Sequence, residues 1–307
     1  MAATATQPIL DATSSGMVDF GEWQTWYRIT GTLDKTKPPL VVAHGGPGGT
    51  HDYLLTIADI ARSGRAVIHY DQVGNGRSTH LRDRGADFWA VDLFLDELEN
   101  LLDKLGVAGA YHLLGQSWGG MLAAEHGIRR PPGLLSLIIS DSPASMPLWL
   151  AAAAELRAQL PPDVEATLAE HETAGTTDSP EYAAAMQVFY ERHVCRALPW
   201  PDELNRTFAA IADDPTVYHT MNGPSEFHVI GTLKTWSVVE KVHAITAPTL
   251  LISGKYDEAA ASTVQPYADA IPDVRWEIFE RASHVPHIEQ RDEYMALIQR
   301  FIDGYDR

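Results

Sequence analysis

The chain has 307 residues, 45% of them hydrophobic, and a formal net charge of −18 from 23 Lys+Arg against 41 Asp+Glu. That length buries a sizeable core, and the acidity with no dense Lys/Arg cluster excludes nucleic acid and anionic membrane surfaces as partners. The first 17 residues, MAATATQPILDATSSGM, lack a basic start and an apolar stretch, and Cys195 is the single cysteine, so a cytoplasmic chain with no membrane span, no disulfide and no thiolate metal site is expected.

In chain order, WQTWYRI at 23–29, LVVAH at 40–44, AVIHY at 66–70, YHLLG at 111–115, SLIIS at 136–140, TLLIS at 249–253 and VRWEIF at 274–279 read as strands, each ending in turn residues. The later runs lack polar alternation, as strands covered on both faces do. Before YHLLG, the segment VDLFLDELENLLDKLG puts Val91, Leu95, Leu98, Leu101, Leu102 and Leu105 on one stripe and predicts a helix that stops at Gly106. Strand alternating with helix predicts a mostly parallel α/β sheet. The alternation breaks between about 144 and 235, where PLWLAAAAELRAQLPP, SPEYAAAMQVFYERHV and PDELNRTFAAIADDP read as helices. Residues 1–143 and 236–307 are thus expected to form the sheet core, with 144–235 inserted as a helical cap.

YHLLG runs straight into Gln116, Ser117, Trp118 and Gly119. A strand that delivers G-x-S-x-G to the start of a helix is the nucleophile-elbow pattern, in which the serine sits on a strained turn and the glycines leave room for it. A serine hydroxyl needs a histidine to take its proton and an acid to hold that histidine. In a hydrolase of this topology the acid and then the histidine follow, each just beyond a later strand. TLLIS is followed by Asp257, and VRWEIF by His284, 27 residues further on. Glu258 is an alternative acid and His287 an alternative base. The oxyanion that develops during acyl transfer calls for two donors, assigned to the backbone N–H groups of Trp118 and of Gly46 in VVAHGGPGG. No phosphate-loop G-K-[ST] follows those glycines, no H-E-x-x-H is present, and neither metal nor cofactor is expected.

With HGGPGG at 44–49, YDQVGNGRS at 70–78, GQSWGG at 115–120, GKYDE at 254–258 and ASH at 282–284, the chain resembles the proline iminopeptidase family of α/β-hydrolases over nearly its whole length. MNGPSEFHVIGTLKTW at 221–236 brings it nearest the branch of the tricorn-interacting aminopeptidase and the L-amino acid amidases. The resemblance implies an eight-stranded sheet with an inserted cap, a triad of Ser117, Asp257 and His284, and two glutamates, Glu226 and Glu258, that hold the substrate's free α-amino group. A desolvated carboxylate pair suits that task, since it binds an ammonium through charge-assisted hydrogen bonds. Gln116 stands where the family often has glycine, and Val73 and Asn75 replace its frequent arginine and cysteine, changes expected to touch packing more than chemistry.

The expected activity is release of an N-terminal amino acid from a short peptide, arylamide or amino acid amide, through an acyl-enzyme. An esterase or lactonase on the same frame, or a binding protein that keeps the fold without turnover, are the alternatives.

Overall fold

The computed structural model describes residues 7–306, so the opening six residues of the N-terminal stretch and Arg307 lie outside the described residues. One eight-stranded sheet runs through the molecule in the order β1-β2-β4-β3-β5-β6-β7-β8. The strands are β1 (Ser14–Phe20), β2 (Trp23–Thr30), β3 (Leu40–Ala43), β4 (Val67–Asp71), β5 (Tyr111–Gln116), β6 (Leu134–Ser140), β7 (Thr249–Gly254) and β8 (Val274–Phe279). β2 pairs antiparallel with β1 and β4, and all other neighbours are parallel. β1 has no counterpart among the apolar runs, because SSGMVDF is a largely exposed edge strand with Val18 as its one buried residue.

Along β3 the side chains alternate between two cores. Val41 and Ala43 face a cluster with Leu98, Leu101 and Leu102 of α1 (Val91–Lys104), Ala123 and Ala124 of α2 (Trp118–Ile128), and Val264 and Tyr267 of a helix that follows β7. Leu40 and Val42 face the opposite cluster, which holds Leu54, Ile57 and Ile60 of a 3-10 helix (His51–Ser63) and Tyr294, Ile298 and Phe301 of the last helix. Burial on both faces is why the parallel strands read as unbroken apolar runs. Each fully covered Val, Leu, Ile or Phe among them contributes about 1.5–3 kcal/mol.

Between β6 and β7 come helices only: α3 (Met146–Arg157), α4 (Pro162–Ala174), α5 (Pro180–His193), α6 (Asp202–Asp213) and α7 (Thr216–Met221), with two short 3-10 turns after them. The chain enters and leaves this insertion side by side, since the N–H of Met146 donates to the Trp236 carbonyl at 2.9 Å and that of Val238 to the Ala144 carbonyl at 3.0 Å. After β7 come α8 (Ala261–Ala270), β8, the single-turn α9 (Pro286–Glu289) and α10 (Arg291–Asp303). No helix among the described residues is long and apolar enough to cross a membrane.

Candidate active site

β5 ends at Gln116, and Ser117 follows with φ 56° and ψ −124°, outside both the helical and extended regions. The close approach of α2 to the sheet explains both glycines. A Cβ on Gly115 would drive into the Gly119 carbonyl, and one on Gly119 into the Ala43 carbonyl. Strain at one serine is held by the packing of two elements around it.

Asp257 lies in the turn after β7 and His284 in the turn after β8. His284 Nδ1 meets Asp257 Oδ1 at 2.6 Å, and the backbone N–H of Ala259 donates to the same oxygen at 2.8 Å. Burial pulls the imidazole pKa down, yet the adjoining Asp257 carboxylate, with Glu226 and Glu289 beyond it, holds it above the ordinary value. The alternatives fall elsewhere. Glu258 Oε1 lies 3.7 Å from Nε2, the opposite ring nitrogen. His287 Nε2 bonds the Tyr53 carbonyl at 3.0 Å, and burial pushes that imidazole down to about 3.

Ser117, Gly46, Gln116, Glu226, Glu258 and His284 all line one cavity. A second, much narrower space adjoins Ser117, Gly46 and Glu226 on the side of Trp118, Met146 and Trp149. Gly46 has φ +120°, open to glycine and strained for other residues. Among the described residues neither its N–H nor that of Trp118 donates to another backbone carbonyl. The Trp118 ring is fixed by the DQ segment: its Nε1 donates to Gln72 Oε1 at 2.8 Å, and Gln72 Nε2 donates to the His44 carbonyl at 3.0 Å.

Glu226 Oε1 accepts the Tyr218 hydroxyl at 2.6 Å. Glu258 is 2% exposed, and both its carboxylate oxygens are buried with no hydrogen-bond partner among the described residues. Burial first, then the charges of Glu226 and Asp257, push its carboxyl well above the usual range, and burial likewise raises Glu226. No group of three or more His, Cys, Asp or Glu among the described residues is arranged to hold a metal ion.

The alpha/beta hydrolase fold family model matches residues 38–290. A proline iminopeptidase of Saccharolobus solfataricus is 38% identical over 277 residues, covering 90% of this chain and 87% of that protein. The chain belongs to the proline iminopeptidase family of α/β-hydrolases. Among solved members of the fold, the Mycobacterium smegmatis proline iminopeptidase is 50% identical with a TM-score of 0.89, over 95% of this chain and 99% of that one. The crystal structure of VinJ is 53% identical with a TM-score of 0.95, over 96% of this chain and 100% of that one.

Within this family frame, several contacts have no signal in the sequence. Gln116, the departure from the family pattern, accepts the Tyr53 hydroxyl and donates through Nε2 to the His284 carbonyl at 2.8 Å, so it ties the histidine turn to the elbow. Tyr53 OH in turn accepts the Gly45 N–H at 2.7 Å. Val73 and Asn75 are buried away from the cavity. The His193 carbonyl, at the end of α5, accepts the N–H groups of both Glu258 and His284, at 3.3 and 3.2 Å. Glu289 accepts the N–H of Ser283 at 2.6 Å and of Arg196 at 2.7 Å, a second tie between the histidine turn and the insertion.

Proposed function

We propose that the chain is a serine aminopeptidase that releases an N-terminal residue, proline in the first instance, from short peptides. The observation that carries this reading is Glu258: a buried carboxyl with two unpartnered oxygens, beside His284 and in the same cavity as Ser117. Leaving such a group unsatisfied costs energy that only a cationic or donor ligand recovers. The ammonium of an unblocked N-terminus, held by Glu258 and Glu226, fits it.

In this reading Ser117 Oγ attacks the carbonyl of the first residue while His284 Nε2 takes its proton. Asp257 holds the imidazole through Nδ1 and stabilises the imidazolium. The oxyanion is met by the N–H groups of Gly46 and Trp118. Collapse of the tetrahedral intermediate returns the proton from His284 to the leaving amine, and water then releases the residue from Ser117. The helices of residues 144–235 serve as a cap over the substrate. A reducing cytoplasm is the proposed compartment, in keeping with the single buried Cys195.

The test compares prolyl arylamide, its N-acetyl derivative and a plain acyl ester on wild type, Ser117→Ala and Glu258→Gln. Ser117→Ala should lower kcat by on the order of 10⁴. N-acetylation and Glu258→Gln should each lower kcat/KM by roughly 10- to 100-fold, the worth of a charge-assisted bond to a buried group. Equal turnover of blocked and free substrates overturns the aminopeptidase reading and favours the esterase.

A further inference from the structure

Asp141 follows the last residue of β6 with φ +50°. Asp tolerates this left-handed conformation better than most residues, but it still costs energy and marks a position the surroundings enforce. The residue is fully buried. One carboxyl oxygen accepts the Gly254 N–H at 3.0 Å and the other the Ser140 hydroxyl at 2.6 Å, and Ser140 Oγ accepts the Tyr294 hydroxyl at 3.0 Å. The Gly254 carbonyl accepts the N–H of Asp257 at 3.3 Å. Asp141 and Asp257 thus hold the two sides of one residue, and the Asp257 charge bears on the Asp141 carboxyl. Asp257 uses Oδ1 twice, for His284 and Ala259. Its Oδ2 is buried and meets no donor among the described residues. A single proton between the two carboxyls removes both their repulsion and that orphaned acceptor.

We propose that the Asp141 carboxyl donates a hydrogen bond to Asp257 Oδ2 and so acts as a positioning residue, fixing the carboxylate with Oδ1 toward His284. The inference rests on the reading of Ser117, Asp257 and His284 as the triad. Burial and the neighbouring Asp257 push the Asp141 carboxyl well above the usual range, the direction that keeps its proton at neutral pH. Tyr294 of α10 and Tyr53 of the 3-10 helix also feel its charge, and neither is a cation. As pH rises the proton is lost, and a second negative charge then sits against Asp257 with no hydrogen bond between them.

The test measures the labelling rate by a fluorophosphonate, which carries no amine, between about pH 6 and 10. Wild type, Asp141→Asn, Asp141→Ala and Ser117→Ala are compared. Asp141→Ala should label about 10- to 100-fold more slowly, the effect of a misplaced triad member. Asp141→Asn, whose amide donates to the same oxygen, should restore the rate to within about threefold and lack the alkaline decline of wild type. The infrared spectrum of wild type at neutral pH should hold a protonated-carboxyl band missing from Asp141→Asn. An Ala variant that labels at the wild-type rate overturns the proposal, as does a folded Asn variant as slow as Ala, or an alkaline decline shared by wild type and Asn. If Asp141→Ala does not fold, the Asn variant and the infrared band decide. Continued labelling of Ser117→Ala would instead bring down the triad reading itself.

Discussion

A carboxyl stripped of water, given no donor and set beside other negative charge has every reason to hold its proton, and Glu258 is in that position. An arriving ammonium reverses the balance and draws the proton off. Binding of a free amino acid amide to the Ser117→Ala protein near pH 7 should therefore release about one proton, read as a dependence of the calorimetric enthalpy on the buffer's ionisation enthalpy. In a Ser117→Ala, Glu258→Gln double variant that dependence should vanish. A buffer-independent enthalpy in Ser117→Ala means that Glu258 was already ionised. Residues of this kind differ in how far the sequence exposes them. Ser117, Asp257 and His284, the proposed triad, stand out in the sequence because each lies just beyond an apolar run, in the order that the proposed chemistry demands. Asp141 has the same signature after SLIIS, yet order alone gives it no task, since Asp257 already takes the place expected of the acid. It comes beside Asp257 only when β6 and β7 pair.

At the scale of one element, α1 shows where a periodic reading succeeds and where it stops. Of the expected stripe, Leu95, Leu98, Leu101 and Leu102 are buried and Val91 and Leu105 at its ends half-buried, and Gly106 follows the helix with φ +69°. Phe94 and Glu97 are buried as well, and a carboxylate on an apolar face has no signal in a hydrophobic pattern. Glu97 Oε1 accepts the Thr25 hydroxyl at 2.5 Å and the Val73 N–H at 2.8 Å, which fastens α1 to β2 and to the loop after β4. Burial pushes this carboxyl up to about 8. With a folded-state value above the unfolded one, its contribution to stability is fully present below the ordinary carboxylate range and is lost as pH rises through about 8. Wild type should thus lose melting temperature between about pH 5 and pH 9, and Glu97→Gln should lose measurably less. Parallel melting curves across that range would remove Glu97 from the account. The 3-10 helix at His51–Ser63 is likewise hidden from pattern reading, because eight of its residues are buried by packing on β4, α6 and α10 rather than by a helical stripe.

Across the whole molecule, the inserted helices differ in how firmly they are seated. In α4 only Leu168 is buried, and the helix is held to α3 through Arg157 with Glu165 and Glu172. α5 buries Tyr182, Ala185, Phe189 and Tyr190 and ends in the His193 carbonyl that takes the N–H groups of Glu258 and His284. Hydrogen exchange should accordingly release α4 first, with the last turn of α5 and the amides of Glu258 and His284 opening together and later. Exchange of the α5 terminus at the rate of α4 would contradict this. The run of helices between β6 and β7 is legible from composition, as Ala-rich, Pro-punctuated stretches without an apolar strand. Its attachment was not, because a backbone carbonyl carries no residue signature. For protein engineering the His193 carbonyl sets a graft boundary. A chimaera that imports a relative's helices to change selectivity must keep the host's last turn of α5 and the segment to Arg196, because that stretch is upholstery for the turns that carry Glu258 and His284.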